Sequence, residues 1–472
     1  MLVNTMGDIF NGNKELFKDT WIYDKWNFEK IYPVIKISFA GIGLEKLKLD
    51  DALTLLLDNI AEKNGIKLTK PTYALKFREL IIKLSDKNPV VILIDEYDKP
   101  IIDYVEEKTL HIAKENRKIL RSFYSVVKDL DKYIKLLFIT GVSKFAKVSL
   151  FSELNNLTDI TIKKQYANIT GYTEKEIIDN YGEYLKEVEE DLELDEKKVM
   201  EGMKRWYNGY SWDGKTFVYN PYSVISFLGD REFKNFWFKS GTASFLLKLI
   251  RERGIDVREY DKGLLSVSEE ALDSYNINSI NMTVLLFQTG YLTIKSKEID
   301  KYSYALSYNL GYPNLEVRRS FYLFLGSELA GVQVDVHSSN MRKILSAFRS
   351  NDMELFIKVM RSIFASIPEN LSSGRYESYY HIVIYLILMF IGTDIKVEEK
   401  TNKGVIDAVV KTENYIYIME FKMSSAKSAM DQIKSKKYYE KYLSDDRDII
   451  CMGVAFSKED RNVDDFIVEE IE

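Results

Sequence analysis

Residues 90–96 carry the pattern that narrows the fold of this chain most: five apolar residues in succession and then two acids, within PVVILIDEYDKPI at 89–101. An uninterrupted apolar run of this length predicts a strand buried on both faces, as in a parallel sheet covered by helices. Ligands of open α/β sheets bind where such strands end, so Asp95 and Glu96 are candidate ligand-binding residues. We therefore expect an α/β architecture.

A second apolar run, YIKLLFITGVSKF at 133–145, predicts another buried strand, with Ser143 just beyond its apolar part. Turn residues at Asn11-Gly12-Asn13 are expected to interrupt the first helical segment. The remaining elements expected in this part of the chain are one strand and three helical segments: YPVIKISFA at 32–40, and residues 1–30, 44–63 and 72–85.

Two strand-like runs near the C-terminus, Val405–Lys411 and Tyr415–Met423, flank the pair Glu413-Asn414. Asn tolerates the left-handed backbone that a two-residue hairpin loop requires, so the pattern predicts a β-hairpin. If this pair forms the loop, residue 412 faces residue 415. Counting outward then places Asp407 directly opposite Glu420, and two carboxylates share one position on the sheet.

Alternation along the second strand places Glu420 and Lys422 on the same face as Ile416 and Ile418, at the rim of a packed surface. Two like charges at such a rim repel each other and are costly to desolvate unless a cation or a proton intervenes. Oxygen ligands with open positions suit Mg²⁺ or Mn²⁺, and Lys422 could orient a water or neutralise a phosphoryl oxygen. The alternative is a solvated hairpin whose charges only maintain solubility.

This pattern of Asp, a spacer of about a dozen residues and then Glu-x-Lys on a strand resembles the PD-(D/E)XK nuclease superfamily. The surroundings resemble the branch whose nuclease-like domain follows an AAA-ATPase-like domain in many bacterial and archaeal proteins. A restriction-endonuclease-like α/β fold is implied for the C-terminal part. The matching motifs cover about the last hundred residues: YESYYH at 376–381, GVIDAVV at 404–410, YIYIMEFK at 415–422 and AMDQIKSKKYYEKY at 429–442.

The resemblance implies a role for each matching residue. Asp407 and Glu420 would be metal ligands for Mg²⁺ or Mn²⁺, and Lys422 would be the catalytic lysine. Glu377 would supply a helix-borne carboxylate, and Gln432 would lie near the site on the following helix. Glu377 has a simpler interpretation as an acid favoured near a helix N-terminus. His381 is more typical of a core or boundary histidine, and three His in the whole chain do not favour a histidine-based metal site.

The first 250 residues resemble the AAA-ATPase-like domain of the same proteins. Within that resemblance Asp95 would hold Mg²⁺, Glu96 would polarise the attacking water of ATP hydrolysis, and Ser143 would follow the sensor strand. In the family, the phosphate-binding Walker A loop precedes the segment at which this chain starts. The resemblance therefore implies an N-terminally truncated P-loop NTPase-like domain without its first strand. Further matching stretches are FSELNNLTDIT at 151–161, GYTEKEI at 171–177, RWYNGYSWDGKTFVYNPYS at 205–223 and FWFKSGTASFL at 236–246.

The segment GYSWDGKT at 209–216 matches the Walker A spacing letter for letter, but its surroundings do not fit. A phosphate loop follows a buried strand and precedes a helix. Here KRWYN precedes the segment, and Pro221 lies shortly after it. Asp213-Gly214 is better interpreted as a hairpin turn between two short strands.

Composition is that of an ordinary globular protein. A net charge of −6 gives no overall signal for nucleic-acid binding, which would have to use a local patch. The single cysteine, Cys451, excludes a disulfide framework. The longest apolar run, 382–391, is too short to span a bilayer, so we expect a cytoplasmic protein without membrane contact. One candidate patch, for which a solvated helix face is the simpler interpretation, contains Lys427, Lys434, Lys436, Lys437 and Lys441.

The region between the two resemblances predicts mostly helices up to residue 260. A strand pair, 285–295 with 302–321, then precedes a helix, which would suit a winged-helix-like module or a scaffold. Pro368 and the Ser372-Ser373-Gly374 segment indicate a boundary. The expected domains are ATPase-like at 1–164, lid-like helical at 165–260, helical or winged-helix-like at 261–369 and nuclease-like at 370–472.

Three functions are compatible with these observations. The first is a metal-dependent endonuclease that cleaves the phosphodiester bonds of DNA. The second is an ATP-binding remodeller that depends on Asp95 and Glu96. The third is a non-catalytic DNA- or protein-interaction protein with degenerate sites. Oligomeric state, substrate form and sequence preference are left open by the sequence.

Overall fold

The computed structural model describes residues 1–142, 157–237, 246, 250, 257–260, 265–273, 281–367, 376–391 and 394–471. The chain forms two compact units, each assembled from three separate stretches of sequence. The first contains residues 1–177, 210–221 and 265–311, and the second contains residues 178–209, 222–264 and 312–472. The division into four domains stays a prediction.

A parallel sheet of three strands forms the centre of the first unit, with β2 between β1 and β3. The apolar residues of β2 are completely buried, because helices and their apolar side chains cover the sheet. The parallel, buried strand expected from the run of five apolar residues is therefore confirmed. The strands are β1 (Val34–Ser38), β2 (Val90–Asp95) and β3 (Ile134–Ile139).

The helices expected at 44–63 and 72–85 are confirmed, although the first begins only at Leu49. The interruption expected at 11–13 is confirmed, because the first helix ends at Phe10, but two short 3-10 helices rather than a further α-helix follow it. Gly12 has a φ of +80°, and a Cβ there would lie 2.7 Å from the Phe28 carbonyl oxygen. The helices before β3 are α1 (Leu2–Phe10), α2 (Leu49–Lys63), α3 (Tyr73–Leu84), α4 (Lys99–Ile102) and α5 (Leu110–Lys128).

The segment at 209–216 forms a turn, as expected. Tyr210 and Val218 form an antiparallel bridge, and Gly214 adopts a φ of +69°. The buried Asp213 carboxylate accepts hydrogen bonds from the Lys215 amide at 2.9 Å and the Thr216 amide at 2.7 Å. The glycine and the lysine of this apparent Walker A match therefore belong to an aspartate-capped loop.

A second sheet in the first unit is antiparallel, with the order β4-β6-β5. It contains the expected strand pair, but at 293–299 and 306–311 rather than at 285–295 and 302–321, and adds a third strand that was not predicted. The helix before β5 buries nearly all its side chains, which favours a scaffold role for it. The elements are β4 (Leu265–Ser268), β5 (Thr293–Ile299) and β6 (Leu306–Gly311), with α9 (Glu269–Asp273) and α10 (Met282–Gln288) between β4 and β5.

The helical part of the second unit is organised around the N-terminal end of one helix that starts at Leu315. Glu316, which is completely buried, accepts hydrogen bonds from the Phe236 amide at 2.6 Å, the Trp237 amide at 2.8 Å and the Ser223 hydroxyl at 2.8 Å. The helices that lie wholly or mostly in the second unit and precede its sheet are α6 (Glu174–Leu192), α7 (Glu196–Tyr207), α8 (Pro221–Asp230), α11 (Leu315–Ala330), α12 (Val334–Ser350) and α13 (Met353–Ala365).

The C-terminal part of the second unit is a mixed sheet of five strands in the order β11-β10-β9-β8-β7. β9 and β10 are parallel, and every other neighbouring pair is antiparallel. The strands are β7 (Asp394–Thr401), β8 (Gly404–Lys411), β9 (Tyr415–Lys422), β10 (Asp448–Ser457) and β11 (Asn462–Ile471), with α14 (Tyr376–Ile391) before the sheet and α15 (Ala426–Lys436) between β9 and β10.

Helices cover both faces of this sheet. On one face, Ile416 and Ile418 of β9 pack with Met430 and Ile433 of α15. On the other, aromatic rings of α13 and α14 pack against β10, with Tyr380 and Phe456 stacked at 5.2 Å. The apolar helix expected after Glu377 is confirmed as α14. Among the helices described, none combines the length and apolar character needed to cross a bilayer.

Candidate active site

The hairpin β8–β9 has the predicted register. Ala408 pairs with Met419, and the Thr412 amide donates to the Tyr415 carbonyl at 2.8 Å, as expected for a loop at 413–414. The regular ladder ends at Ala408. The same register, continued by one residue, places Asp407 opposite Glu420.

Hydrogen bonds to side chains replace the ladder at this point. The Asp407 carboxylate accepts from the Phe421 amide at 2.8 Å, and the Asp407 amide donates to the Glu420 carboxylate at 3.4 Å. Each acid is therefore held by the backbone of the opposite strand. These hydrogen bonds hold the two carboxylates close enough for the charge of Asp407 to raise the pKa of Glu420.

Glu420 is the more buried of the two acids, with 1% of its surface exposed. The Gln432 side-chain amide on α15 donates a hydrogen bond to one carboxylate oxygen. The Lys422 ammonium lies 3.5 Å from the same oxygen and remains one-third exposed. Gln432 thus fixes the orientation of Glu420 from the helix side, while Lys422 presents its charge at the rim.

Electrostatics at the pair follow from this burial. Desolvation, followed by the charge of Asp407, raises the pKa of Glu420 to about 7 from 4.5. Desolvation also raises the pKa of Asp407, while the Phe421 amide, His381 and Lys422 act in the opposite direction. At neutral pH the pair therefore carries less negative charge than two ionised carboxylates. A cation that displaces the proton would stabilise both carboxylates in their ionised form.

The donor set at this position suits a hard cation. In the described residues, no group of three or more His, Cys, Asp or Glu side chains is arranged to hold a metal. Mg²⁺ commonly uses one or two carboxylates and keeps several waters, whereas structural Zn²⁺ requires four protein ligands. Asp407 and Glu420, both oxygen donors, therefore fit Mg²⁺ or Mn²⁺ better than Zn²⁺.

A cavity of about 120 Å³ adjoins Asp407 in the second unit. Its lining includes His381 of α14, which was expected to be a core or boundary residue and is half-buried. Glu377 lies in the first turn of α14, but its side chain is outside the described residues. Its role as a helix-borne carboxylate stays a prediction.

Two residues of this cavity, Glu398 and Arg258, were not anticipated from the sequence. Counting back from a two-residue loop at Asn402-Lys403 would have placed Glu398 opposite Asp407, so a signal for it existed. Arg258 lies more than a hundred residues from the hairpin in sequence, and no local pattern links the two.

Asp95 and Glu96 lie at the C-terminal end of β2, as predicted. Glu96 adopts a left-handed backbone with a φ of +52°, and its amide donates to the Asp95 carboxylate at 3.1 Å. Non-glycine residues with this conformation are uncommon and cluster at functional sites. Ser143 lies outside the described residues. The nucleotide-binding roles of all three stay predictions.

The lysine-rich patch on and after α15 is largely neutralised by acids. Lys434 pairs with Glu469 at 2.5 Å, and Lys437 lies 3.4 Å from Glu440. Lys441 pairs with Glu399. This pairing favours the interpretation of the patch as a solvated surface.

The fold and this pair of acids define a class of α/β proteins in which an ATPase-like parallel sheet and a nuclease-superfamily domain share one chain. Residues 1–151 match the family described as "Predicted AAA-ATPase", and residues 375–466 match the "PD-(D/E)XK nuclease superfamily". The chain belongs to the same family as the "Uncharacterized protein in vnfD 5'region" of Azotobacter chroococcum mcd 1. The two are 35% identical over 486 residues, covering 100% of this chain and 90% of the relative. No solved structure matches significantly.

Proposed function

We propose that this protein is a divalent-metal-dependent nuclease that cleaves phosphodiester bonds in DNA. The observation that carries the proposal is the convergence of Asp407 and Glu420 at the end of a buried hairpin, with Lys422 beside them. The match to the nuclease superfamily over the same residues supports a nucleic-acid substrate.

Each residue has a defined part in this proposal. Asp407 and Glu420 hold Mg²⁺ or Mn²⁺. When bound, such an ion lowers the pKa of a coordinated water and neutralises phosphoryl oxygens. Lys422 orients the attacking water or stabilises the negative charge that develops on the phosphate. Gln432 keeps Glu420 in the orientation that metal binding requires.

Cleavage by the full-length protein tests this assignment. We expect Mg²⁺-dependent cleavage of DNA that falls by at least a hundredfold in Asp407→Asn and in Lys422→Gln, since each removes a charge needed in the transition state. The exposed residues Asp446 and Lys458 supply matched controls, Asp446→Asn and Lys458→Gln, which should retain full activity. Equal cleavage by all five proteins would refute the proposal.

A non-catalytic role gives a different result in the same assay. DNA binding that persists in EDTA, without cleavage of single- or double-stranded substrates in Mg²⁺ or Mn²⁺, would assign the protein to DNA interaction alone.

We also propose a nucleotide contact at Asp95 and Glu96, a candidate favoured by one observation. The two acids end the central strand of a parallel sheet, and Glu96 has a strained backbone there. Calorimetry of the full chain should detect Mg²⁺-ATP binding that is lost in Asp95→Ala. Heat of binding that is identical in the variant would exclude Asp95 as a contact.

A further inference from the structure

The cavity beside Asp407 has a basic residue in its wall that lies outside the matched nuclease segment 375–466. Arg258 is on a short 3-10 helix, Val257–Tyr260, which belongs to the second unit. Its guanidinium lies 3.2 Å from the Glu398 carboxylate, and 19% of its side chain is exposed. A largely buried guanidinium thus faces the same cavity as a candidate metal ligand.

Glu398 has an unusual position in β7. The register of β7 with β8 pairs Val397 with Ala408 and Glu399 with Ile406, so Glu398 stands opposite Asp407. That position is missing from the regular pairing, and Glu398 adopts a φ of +52°. A left-handed glutamate inside a strand is energetically unfavourable, and such strain persists mainly where a side chain must be held in a particular direction.

Like charges at this position need compensation. Glu398 and Asp407 are neighbours on adjacent strands, and the charge of Glu398 contributes to raising the pKa of Asp407. Arg258 compensates one of them through its ion pair with Glu398. His381 forms another part of the cavity wall, where its ring can donate a hydrogen bond to an anion.

We propose that Arg258 binds a phosphate of the nucleic-acid substrate beside Asp407, and that Glu398 is the positioning residue that aims its guanidinium into the cavity. This inference rests on the proposed nuclease function. A guanidinium suits the task because its planar donors match two phosphate oxygens at once, which an ammonium cannot do. The proposed active site therefore extends to a segment that precedes the matched nuclease domain by more than a hundred residues.

Binding of DNA in EDTA isolates this role from catalysis. The full chain is titrated with fluorescently labelled double-stranded DNA over a range of salt concentrations. We expect Arg258→Gln to weaken binding about ten- to hundredfold, as expected for one hydrogen-bonded charge. The slope of log affinity against log salt should fall by about one. Arg231, which pairs with Asp191 and Glu187 on the surface, supplies the control Arg231→Gln, which should bind as the parent does.

Two further variants separate phosphate binding from a structural ion pair. Arg258→Lys keeps the charge but removes the paired N–H donors of the guanidinium. We expect a several-fold loss of affinity without a change in melting temperature. Glu398→Gln should weaken binding two- to threefold in the parent and have no further effect in Arg258→Gln, because it acts only through Arg258. This coupling would not arise if Glu398 only stabilised the strand.

Unchanged affinity and unchanged salt slope in both Arg258 variants would overturn the inference. The cleavage assay distinguishes this failure from failure of the nuclease proposal. Cleavage by the parent with normal DNA binding by both Arg258 variants refutes the role of Arg258 alone. Absence of cleavage, with weakened binding in both Arg258 variants, refutes the nuclease proposal and leaves Arg258 as a phosphate contact.

Discussion

Glu420 stands at the end of a strand whose neighbouring side chains are apolar and buried. Its carboxylate keeps hydrogen-bond partners, but it lies next to a second acid and away from water. An acid in this position is held in its protonated form to an unusually high pH. The proposed metal binding at the pair would therefore have to displace a proton near neutral pH.

This competition predicts a pH-dependent metal affinity. The pKa of Glu420 is raised to about 7, so below pH 7 the proton opposes the cation, and above it the carboxylate is ionised. Calorimetric titration with Mn²⁺ should show affinity rising up to about tenfold per pH unit between pH 5 and 7, and levelling off above pH 8. In Glu420→Gln the affinity should be weak and nearly constant over this range. A parent protein with the same affinity at pH 5.5 and 8 would contradict this expectation.

His337 gives a second pH-dependent property, unrelated to the active site. It is almost completely buried in α12, and neither ring nitrogen has a hydrogen-bond partner. Burial lowers the pKa of His337 to about 4 from 6.5. The unfolded chain gains a proton below pH 6.5 and the folded chain only near pH 4, so the stability contributed by the neutral ring declines as the pH falls through this interval.

We expect the free energy of unfolding to fall by about 3 kcal/mol between pH 6.5 and 4 on account of this residue. Urea denaturation across that range should show a smaller fall in His337→Leu, which cannot titrate. The exposed His111 supplies the control His111→Gln, whose pH dependence should equal that of the parent. If His337→Leu also follows the parent curve, the ring is not held neutral by burial.

At the residue scale, the sequence predicted contacts between residues that are close together in the chain. The opposition of Asp407 and Glu420 follows from counting along one hairpin, and the structure has that register. The ion pair of Arg258 with Glu398 joins residues 140 positions apart. Tertiary packing alone brings such residues together, so no periodicity or spacing in the sequence predicts this ion pair.

Among the elements, α11 shows how a helix end is stabilised by segments that are distant in sequence. The Glu316 carboxylate in its first turn accepts three hydrogen bonds from two other segments of the second unit. The carboxylate also lies at the positive end of the helix dipole. Burial raises the pKa of Glu316, while these hydrogen bonds act in the opposite direction. Burial therefore disfavours the ionised form of Glu316, and the three hydrogen bonds stabilise it.

Replacing this acid should destabilise the protein. Glu316→Gln places an amide group against donors, so we expect a loss of roughly 2–4 kcal/mol in the free energy of unfolding. Ser223→Ala removes one of the three hydrogen bonds and should cost only about 1 kcal/mol. Urea denaturation of the full chain measures both. A smaller loss in Glu316→Gln than in Ser223→Ala would show that the carboxylate is not the centre of this network.

The elements that the sequence predicted well are those with uninterrupted apolar runs or clear helical periodicity, such as β2 and α14. It missed β4, a strand of four residues, LSVS, in which only alternate positions are even partly buried. It predicted the turn at 11–13, but not that two short 3-10 helices would replace the α-helix expected between that turn and residue 30. Short edge strands and helix ends depend on contacts that a local pattern does not contain.

On the scale of the whole molecule, the chain passes between its two units several times. Residues 312–472 contain the nuclease-like sheet, but the second unit also includes residues 178–209 and 222–264. The stretch 222–264 supplies Arg258 and all three hydrogen-bond donors to Glu316. A continuous C-terminal fragment is therefore an incomplete unit.

The effect of one substitution should consequently depend on the length of the chain. Glu316→Gln should cost 2–4 kcal/mol in the full protein but less than about 1 kcal/mol in the fragment 312–472, where the carboxylate has lost its donors. Urea denaturation of four proteins, with and without the substitution in each context, measures this difference. An equal cost in both contexts would mean that the fragment keeps the interactions of Glu316 by another route.

The position of β10 determines when the acids of the hairpin become a site during synthesis. β8 and β9 pair locally and can form as soon as residue 422 has left the ribosome, since hairpin formation is fast. The inner edge of β9 is covered only by β10, which is made later and pairs with it in parallel after α15. Until then β9 has an open edge, and the burial that raises the pKa of Glu420 is incomplete. If the protein is a nuclease as proposed, a nascent chain that stops before Asp448 should therefore be unable to cut nucleic acid.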